Sequence, residues 1–61
     1  MAATDAFRPG ARVRLQPWMD LWMRGATHGD VVRVTHTRVH VQLDKLRLPC
    51  RFRPEDLEPV E

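Results

Sequence analysis

Residues 30–43 read DVVRVTHTRVHVQL, and apolar and polar positions alternate along them in two runs. β-Branched residues that recur at every second position are typical of strands buried on one side only. The segment therefore predicts a β-hairpin with one apolar face and one basic face. Its inward positions are predicted to be Val32 and Val34 before a break at residues 36–37, and Val39, Val41 and Leu43 after it.

Three further strands are expected around this hairpin, at residues 11–15, 46–52 and 57–60. A two-residue turn at Asp44 and Lys45 would place Leu48 opposite Val41 and would put Pro49 in the fourth strand. Proline cannot donate to a strand ladder, so this strand is predicted at a sheet edge. The predicted core consists of Val13, Leu15, Val32, Val34, Val39, Val41, Leu43, Leu48, Cys50, Phe52 and Leu57.

Three segments, PGARVRL (9–15), GATHGDVV (25–32) and RPEDLE (53–58), resemble KOW-type and Tudor-type members of the SH3-like superfamily. The resemblance covers residues 9–60. It implies an all-β, five-stranded SH3-like barrel, with a long first loop and a short helical turn before the last strand. The predicted domain spans residues 9–61, and residues 1–8 are expected to form a flexible N-terminal tail. Because this superfamily hosts many functions, the resemblance implies the barrel fold without naming a function.

Size and composition restrict the classes of site that the chain can carry. Sixty-one residues make a single small domain, and Cys50 is the only cysteine, which excludes an internal disulfide. Cys50 and the three histidines match no zinc-ligand spacing, so no metal, cofactor or catalytic site is predicted. The sequence shows no membrane-spanning run and no signal peptide, and a cytoplasmic protein without a membrane partner is expected.

The predicted outer face is basic, because residues 1–54 carry ten bases against four acids. In the predicted register Arg33 faces His40 and Arg38 faces Arg51, and like charges that face each other across strands are destabilising. One interpretation is a solvated face. The other is a bound anion, which would be a phosphate, as in RNA or DNA, or a carboxylate. No stacking aromatic is predicted on this face, although nucleic-acid surfaces commonly carry them. The candidate anion-binding residues are Arg33, Arg38, His40, Arg47 and Arg51.

A cluster of large apolar residues occupies the long first loop, where Pro17 and Gly25 are expected to bound a short helix. The cluster either covers the core or forms a contact surface for a protein partner or a second copy of the chain. We therefore predict a non-catalytic module for protein–protein interaction or self-association, with nucleic-acid binding as the alternative and an accessory subunit of a larger enzyme as a third class. The candidate partner-binding residues are Trp18, Met19, Leu21, Trp22 and Met23.

Overall fold

The computed structural model describes residues 3–60, which form one five-stranded antiparallel sheet. Across the sheet the strands lie in the order Cys50–Phe52, Val39–Leu43, His28–Val34, Arg12–Leu15 and Leu57–Pro59, so the all-β class and the edge position of the fourth strand are confirmed. Residues 1–2 of the predicted tail and residue 61 of the predicted domain lie outside the described residues. The elements are a 3-10 turn at Ala3–Ala6, β1 (Arg12–Leu15), α1 (Asp20–Met23), β2 (His28–Val34), β3 (Val39–Leu43), β4 (Cys50–Phe52), a second 3-10 turn at Pro54–Asp56, and β5 (Leu57–Pro59).

The short link between the two edge strands requires a strongly bent sheet. Phe52 of β4 lies in register with Val34 at the end of β2, because both residues pair with Val39. Leu57 of β5 instead pairs with Leu15, near the start of β2. In a flat sheet, four strand spacings alone would separate β4 from β5 by about 19 Å. The chain from Phe52 to Leu57 reaches about 18 Å at most, and a 3-10 turn shortens it. The sheet therefore curls toward closure, although in residues 3–60 no hydrogen-bonded ladder joins β4 to β5 to complete a barrel.

A β-bulge at Val32 supplies part of this curvature and overturns one predicted face. Val31 pairs with Val41 and Arg33 pairs with His40, which leaves Val32 as an extra residue in β2. Val31 is consequently 2% exposed and Val32 is 47% exposed. The prediction that Val32 points into the core is wrong, because the bulge shifts the alternation by one residue. A bulge also bends the strand that carries it, which suits the central position of β2.

The connection from β3 to β4 is longer than the predicted two-residue turn. β4 begins at Cys50, which pairs with Val41, so the connection spans residues 44–49. The Gln42 side-chain amide donates to the carbonyl oxygens of Leu43 and Leu46 and holds this loop in place. Leu48 is therefore 75% exposed, and its predicted place in the core is wrong.

The corrected register also changes the pairs on the outer face. Arg51 faces His40, so the predicted pair between Arg38 and Arg51 is wrong. Arg38 instead precedes β3, and Pro49, which is predicted in the fourth strand, belongs to the connecting loop. The predicted pair of Arg33 with His40 is confirmed, because the β2–β3 turn has the expected length.

The core lies on the concave side of the bent sheet and contains most of the predicted residues. Val34 and Cys50 are only partly buried against it. Phe7, Ala26 and Val31 are also buried, although they are not among the predicted core residues. Phe7 is 6% exposed, although it belongs to the segment predicted as a tail. The buried residues confirmed from the prediction are Val13, Leu15, Val39, Val41, Leu43, Phe52 and Leu57.

The first 3-10 turn packs onto the β2–β3 turn. Thr4 is buried, and its hydroxyl donates to the carbonyl oxygen of Thr35 at 2.8 Å and to that of His36 at 3.3 Å. The backbone N–H of Phe7 donates to Thr4 at 3.0 Å and closes the turn. Residues 4–7 are thus packed against the sheet, although they belong to the segment predicted as a flexible tail. Among the described residues, no helix has the length and apolar character needed to cross a membrane.

Candidate interaction surfaces

The first loop is closed at its base and turns sharply after α1. The Leu15 N–H donates to the Thr27 carbonyl at 2.8 Å, which joins the two ends of the loop. Gly25 has φ +88°, a left-handed conformation that residues with a Cβ adopt at a cost. This is the predicted helix exit. It returns the chain to the sheet, where Ala26 is buried and donates to the Leu21 carbonyl at 2.9 Å.

The five candidate partner-binding residues divide into two groups. Met19, Leu21 and Trp22 are half-buried and pack against the core. Trp18 is 67% exposed and Met23 is 81% exposed, one near each end of α1. We refer to these two exposed side chains as the α1 surface. The two interpretations of the cluster therefore apply to different residues, because three of them cover the core and two face outward.

The loop between β3 and β4 lies against the exit of α1. The Lys45 Nζ atom stands 2.8 Å from the position that a Cβ at Gly25 would occupy. The Asp44 N–H donates to the His28 carbonyl at 3.1 Å, so the loop begins beside the start of β2. Arg47, a candidate anion-binding residue, is exposed on this loop beyond the end of β3. The Lys45 ammonium thus lies beside the exit of α1.

Three of the five candidate anion-binding residues face one another across three strands. Arg33 of β2 pairs with His40 of β3, and His40 pairs with Arg51 of β4. Cross-strand neighbours share one face of a sheet and lie about 5 Å apart. Arg33 and Arg51 are exposed and His40 is half-buried. We call these three residues the cation row.

The arginines of β1 differ from the cation row because acids neutralise them. Arg12 binds Asp44 at 2.8 Å and Asp30 at 3.3 Å, and Arg14 binds Glu58 at 2.8 Å. The hydrogen bond from Arg12 holds the pKa of Asp44 below its usual value. In the same way, bonds to Asp44 and then to Asp30 raise the pKa of Arg12. Within residues 3–60 these are the salt bridges, and none involves the cation row.

The remaining candidate anion-binding residues lie apart from the row. Arg38 is exposed in the β2–β3 turn, where its guanidinium donates to the Thr37 carbonyl at 3.0 Å. Arg47 lies on the loop that follows the other end of β3. A two-residue β3–β4 turn predicts Arg51 beside Arg38, whereas the longer connection places it beside His40. The pair of Arg51 with His40 was therefore missed, although the alternation of β3 already placed His40 outward.

Other side chains that could react or bind a metal ion lie apart from one another in the part of the chain that the structure describes. His28 Nδ1 lies 2.8 Å from the Thr27 hydroxyl oxygen, and Cys50 is half-buried in an edge strand. Residues 3–60 contain no group of three or more His, Cys, Asp or Glu placed to hold a metal ion, and no pocket is found among them. No protein-family model, curated protein or solved structure significantly matches the chain.

Proposed function

We propose that the chain is a non-catalytic binding module of the SH3-like type whose α1 surface holds a protein partner. The proposal rests on one observation: a tryptophan that is 67% exposed and a methionine that is 81% exposed lie near the two ends of one helical turn. Tryptophan and methionine are enriched at the centres of protein interfaces, and tryptophan dominates binding hot spots. The assignment to the SH3-like type is supported by the strand order, the long first loop and the 3-10 turn before β5.

The packing of α1 against the core favours binding. Met19, Leu21 and Trp22 pack against the core and fix the short helix on the sheet. The exposed side chains of Trp18 and Met23 are therefore presented from a backbone that is already ordered. A preorganised surface loses less conformational entropy when it associates.

The shape of the described surface favours a different protein over a second copy of the chain. Exposed tryptophan and methionine side chains together present roughly 300 Å². A stable interface buries about 800 Å² on each partner, so further residues contribute with any partner. Residues 3–60 contain no pocket that could receive Trp18 of a second copy, whereas a different protein with an apolar pocket could enclose Trp18 as an anchor. We therefore expect sedimentation equilibrium to find a monomer, and a dimer that Trp18→Ala dissociates would overturn the choice of partner.

Site-specific photo-crosslinking followed by affinity measurement tests the proposal. A photoreactive amino acid is introduced at Met23, and at Val32 as the matched control. Val32 is also apolar and exposed, but it lies on the outer face of β2. Crosslinking in cells of the source organism should give a discrete protein adduct from position 23 and none from position 32. The crosslinked protein is then purified, and its affinity for the unmodified chain is measured by calorimetry.

The calorimetric comparison decides the outcome. Loss of a tryptophan hot spot costs about 2 kcal/mol or more, so Trp18→Ala should weaken the partner at least about 30-fold. Val32→Ala should leave the affinity unchanged. Equal crosslinking from both positions, or equal affinities of the two alanine variants, would show that the α1 surface does not hold a partner.

A further inference from the structure

We propose that the cation row binds the phosphodiester backbone of duplex nucleic acid without reading the bases. This site is separate from the α1 surface and does not depend on the protein partner proposed for it. α1 leads into β2 at His28, whereas Arg33 lies five residues farther along that strand, which corresponds to about 17 Å. The two surfaces therefore belong to different ends of β2.

The two arginines of the row carry positive charges that no acid offsets. Arg33 and Arg51 lie on one face of the sheet, on either side of His40 and about 10 Å apart, so each repels the other across β3. On the same sheet, Arg12 and Arg14 are each held by carboxylates. Among the arginines that lie in strands, Arg33 and Arg51 are thus the two without a salt bridge in residues 3–60, and an anionic ligand there would offset their repulsion.

The length of the row suits contacts to more than one phosphate. Three neighbouring strands place its outer members about 10 Å apart. One strand of a nucleic-acid duplex carries a phosphate about every 3.4 Å along the helix axis, so a row aligned with the axis covers about three phosphate intervals and each arginine can contact a different phosphate. Arginine suits this ligand because its planar fork binds a phosphate through two parallel hydrogen bonds.

Within residues 3–60, the absence of aromatic side chains beside the row favours duplexes over single strands. Proteins that bind single strands stack the bases on aromatic side chains that are interleaved with the basic groups. Phe52, which neighbours Arg51, is buried on the opposite face, and Trp18 lies beyond the other end of β2. The row therefore offers contacts to phosphates and none to base faces. Contacts of this kind position a duplex but carry no sequence information.

The salt dependence of binding to duplex DNA tests the proposal. Fluorescence anisotropy is recorded with a labelled duplex at several salt concentrations between about 50 and 200 mM. Each neutralised phosphate contributes about −0.9 to the slope of log K against log salt, so a slope of about −2 to −3 is expected. Arg33→Gln and Arg51→Gln should each make this slope less steep by about 1. Two duplexes of unrelated sequence should bind equally.

Arg24→Gln is the matched control, because Arg24 is exposed and follows α1, away from the row. It removes the same charge as the other two variants and should leave the slope unchanged. Circular dichroism establishes that all three variants are folded before binding is compared. The proposal is overturned if the wild-type protein does not bind the duplex at the lowest salt concentration. It is also overturned if Arg24→Gln changes the slope as much as Arg33→Gln, or if the matching single strand or polyglutamate binds more tightly than the duplex.

Discussion

The β-bulge in β2 can be tested by truncating two adjacent valines. Val31 is 2% exposed and Val32 is 47% exposed, so Val31→Ala removes buried carbon atoms and Val32→Ala removes exposed ones. Two buried carbons are worth about 1.6 kcal/mol in transfer free energy, and the cavity left behind raises the cost to about 2–3 kcal/mol. Val32→Ala should change the free energy of unfolding by less than about 0.5 kcal/mol.

Urea denaturation followed by circular dichroism measures both variants. A domain of 61 residues is expected to have a total stability of about 3–9 kcal/mol, so the loss at Val31 is a large fraction of it. In a thermal melt, this loss corresponds to a fall in Tm of about 16–24 °C. Uninterrupted alternation through β2 would bury Val32 instead. The bulge would be refuted if Val32→Ala cost as much as Val31→Ala or more.

Three further predictions concern contacts elsewhere in the domain. Gly29→Ala should cost about 3 kcal/mol in urea denaturation, because its Cβ would stand 2.6 Å from a β3 carbonyl oxygen. Gly10→Ala meets no atom within 4 Å and should cost about 1 kcal/mol, for its positive φ alone. Thr4→Val removes a buried hydroxyl that donates at 2.8 Å and should lower the free energy of unfolding by about 1 kcal/mol. The stability difference between the wild type and Asp44→Asn should be largest near neutral pH and should shrink below about pH 4.

The sign of the pH effect follows from the Arg12–Asp44 contact. The guanidinium lowers the pKa of Asp44 in the folded state, so the contact stabilises the protein above the pKa of the unfolded carboxyl group. That contribution disappears as the pH falls through the lowered pKa of the folded state. A difference that grows toward low pH would contradict the contact. Equal costs for Gly29→Ala and Gly10→Ala would likewise contradict the close packing of β2 on β3, and an unchanged Thr4→Val variant would contradict the docking of the first turn.

The sequence predicted the regular parts of the fold correctly. In β3, single alternation places Val39, Val41 and Leu43 inward without interruption, and all three are buried. Positions 31 and 32 of β2 are both valine, so the composition allows either of them to face the core. The bulge in the pairing with β3 decides that Val31 does. A bulge is a property of two paired strands, and the alternation of one strand does not reveal it.

The predicted length of the β3–β4 connection is wrong for a related reason. Asp44 and Lys45 form a plausible two-residue turn, and Leu46 and Leu48 continue the alternation beyond it. The longer loop is held by the side-chain amide of Gln42, a contact to the backbone that leaves no periodic signal. Phe7 was missed because one aromatic residue in a short segment shows no period.

The candidate surfaces were predictable as groups of residues, although their arrangement was not. The composition of the first loop identified the apolar cluster, but the packing of α1 decides that Trp18 is exposed while Trp22 is half-buried. The basic outer face was likewise evident in the sequence. Its organisation into one row depends on the register between β3 and β4, which places Arg51 beside His40.

Acrylamide quenching of single-tryptophan variants tests the central claim, that Trp18 is presented for binding while its neighbours cover the core. The Trp22→Phe variant retains only Trp18, and the Trp18→Phe variant retains only Trp22. Trp18 is expected to emit at the wavelength typical of an indole in water and to be quenched almost as readily as a free tryptophan. Trp22 should emit at shorter wavelength and be quenched less. The claim would be contradicted if Trp18 were shielded from acrylamide while Trp22 was accessible to it. Trp18 would then cover the core and Trp22 would be exposed.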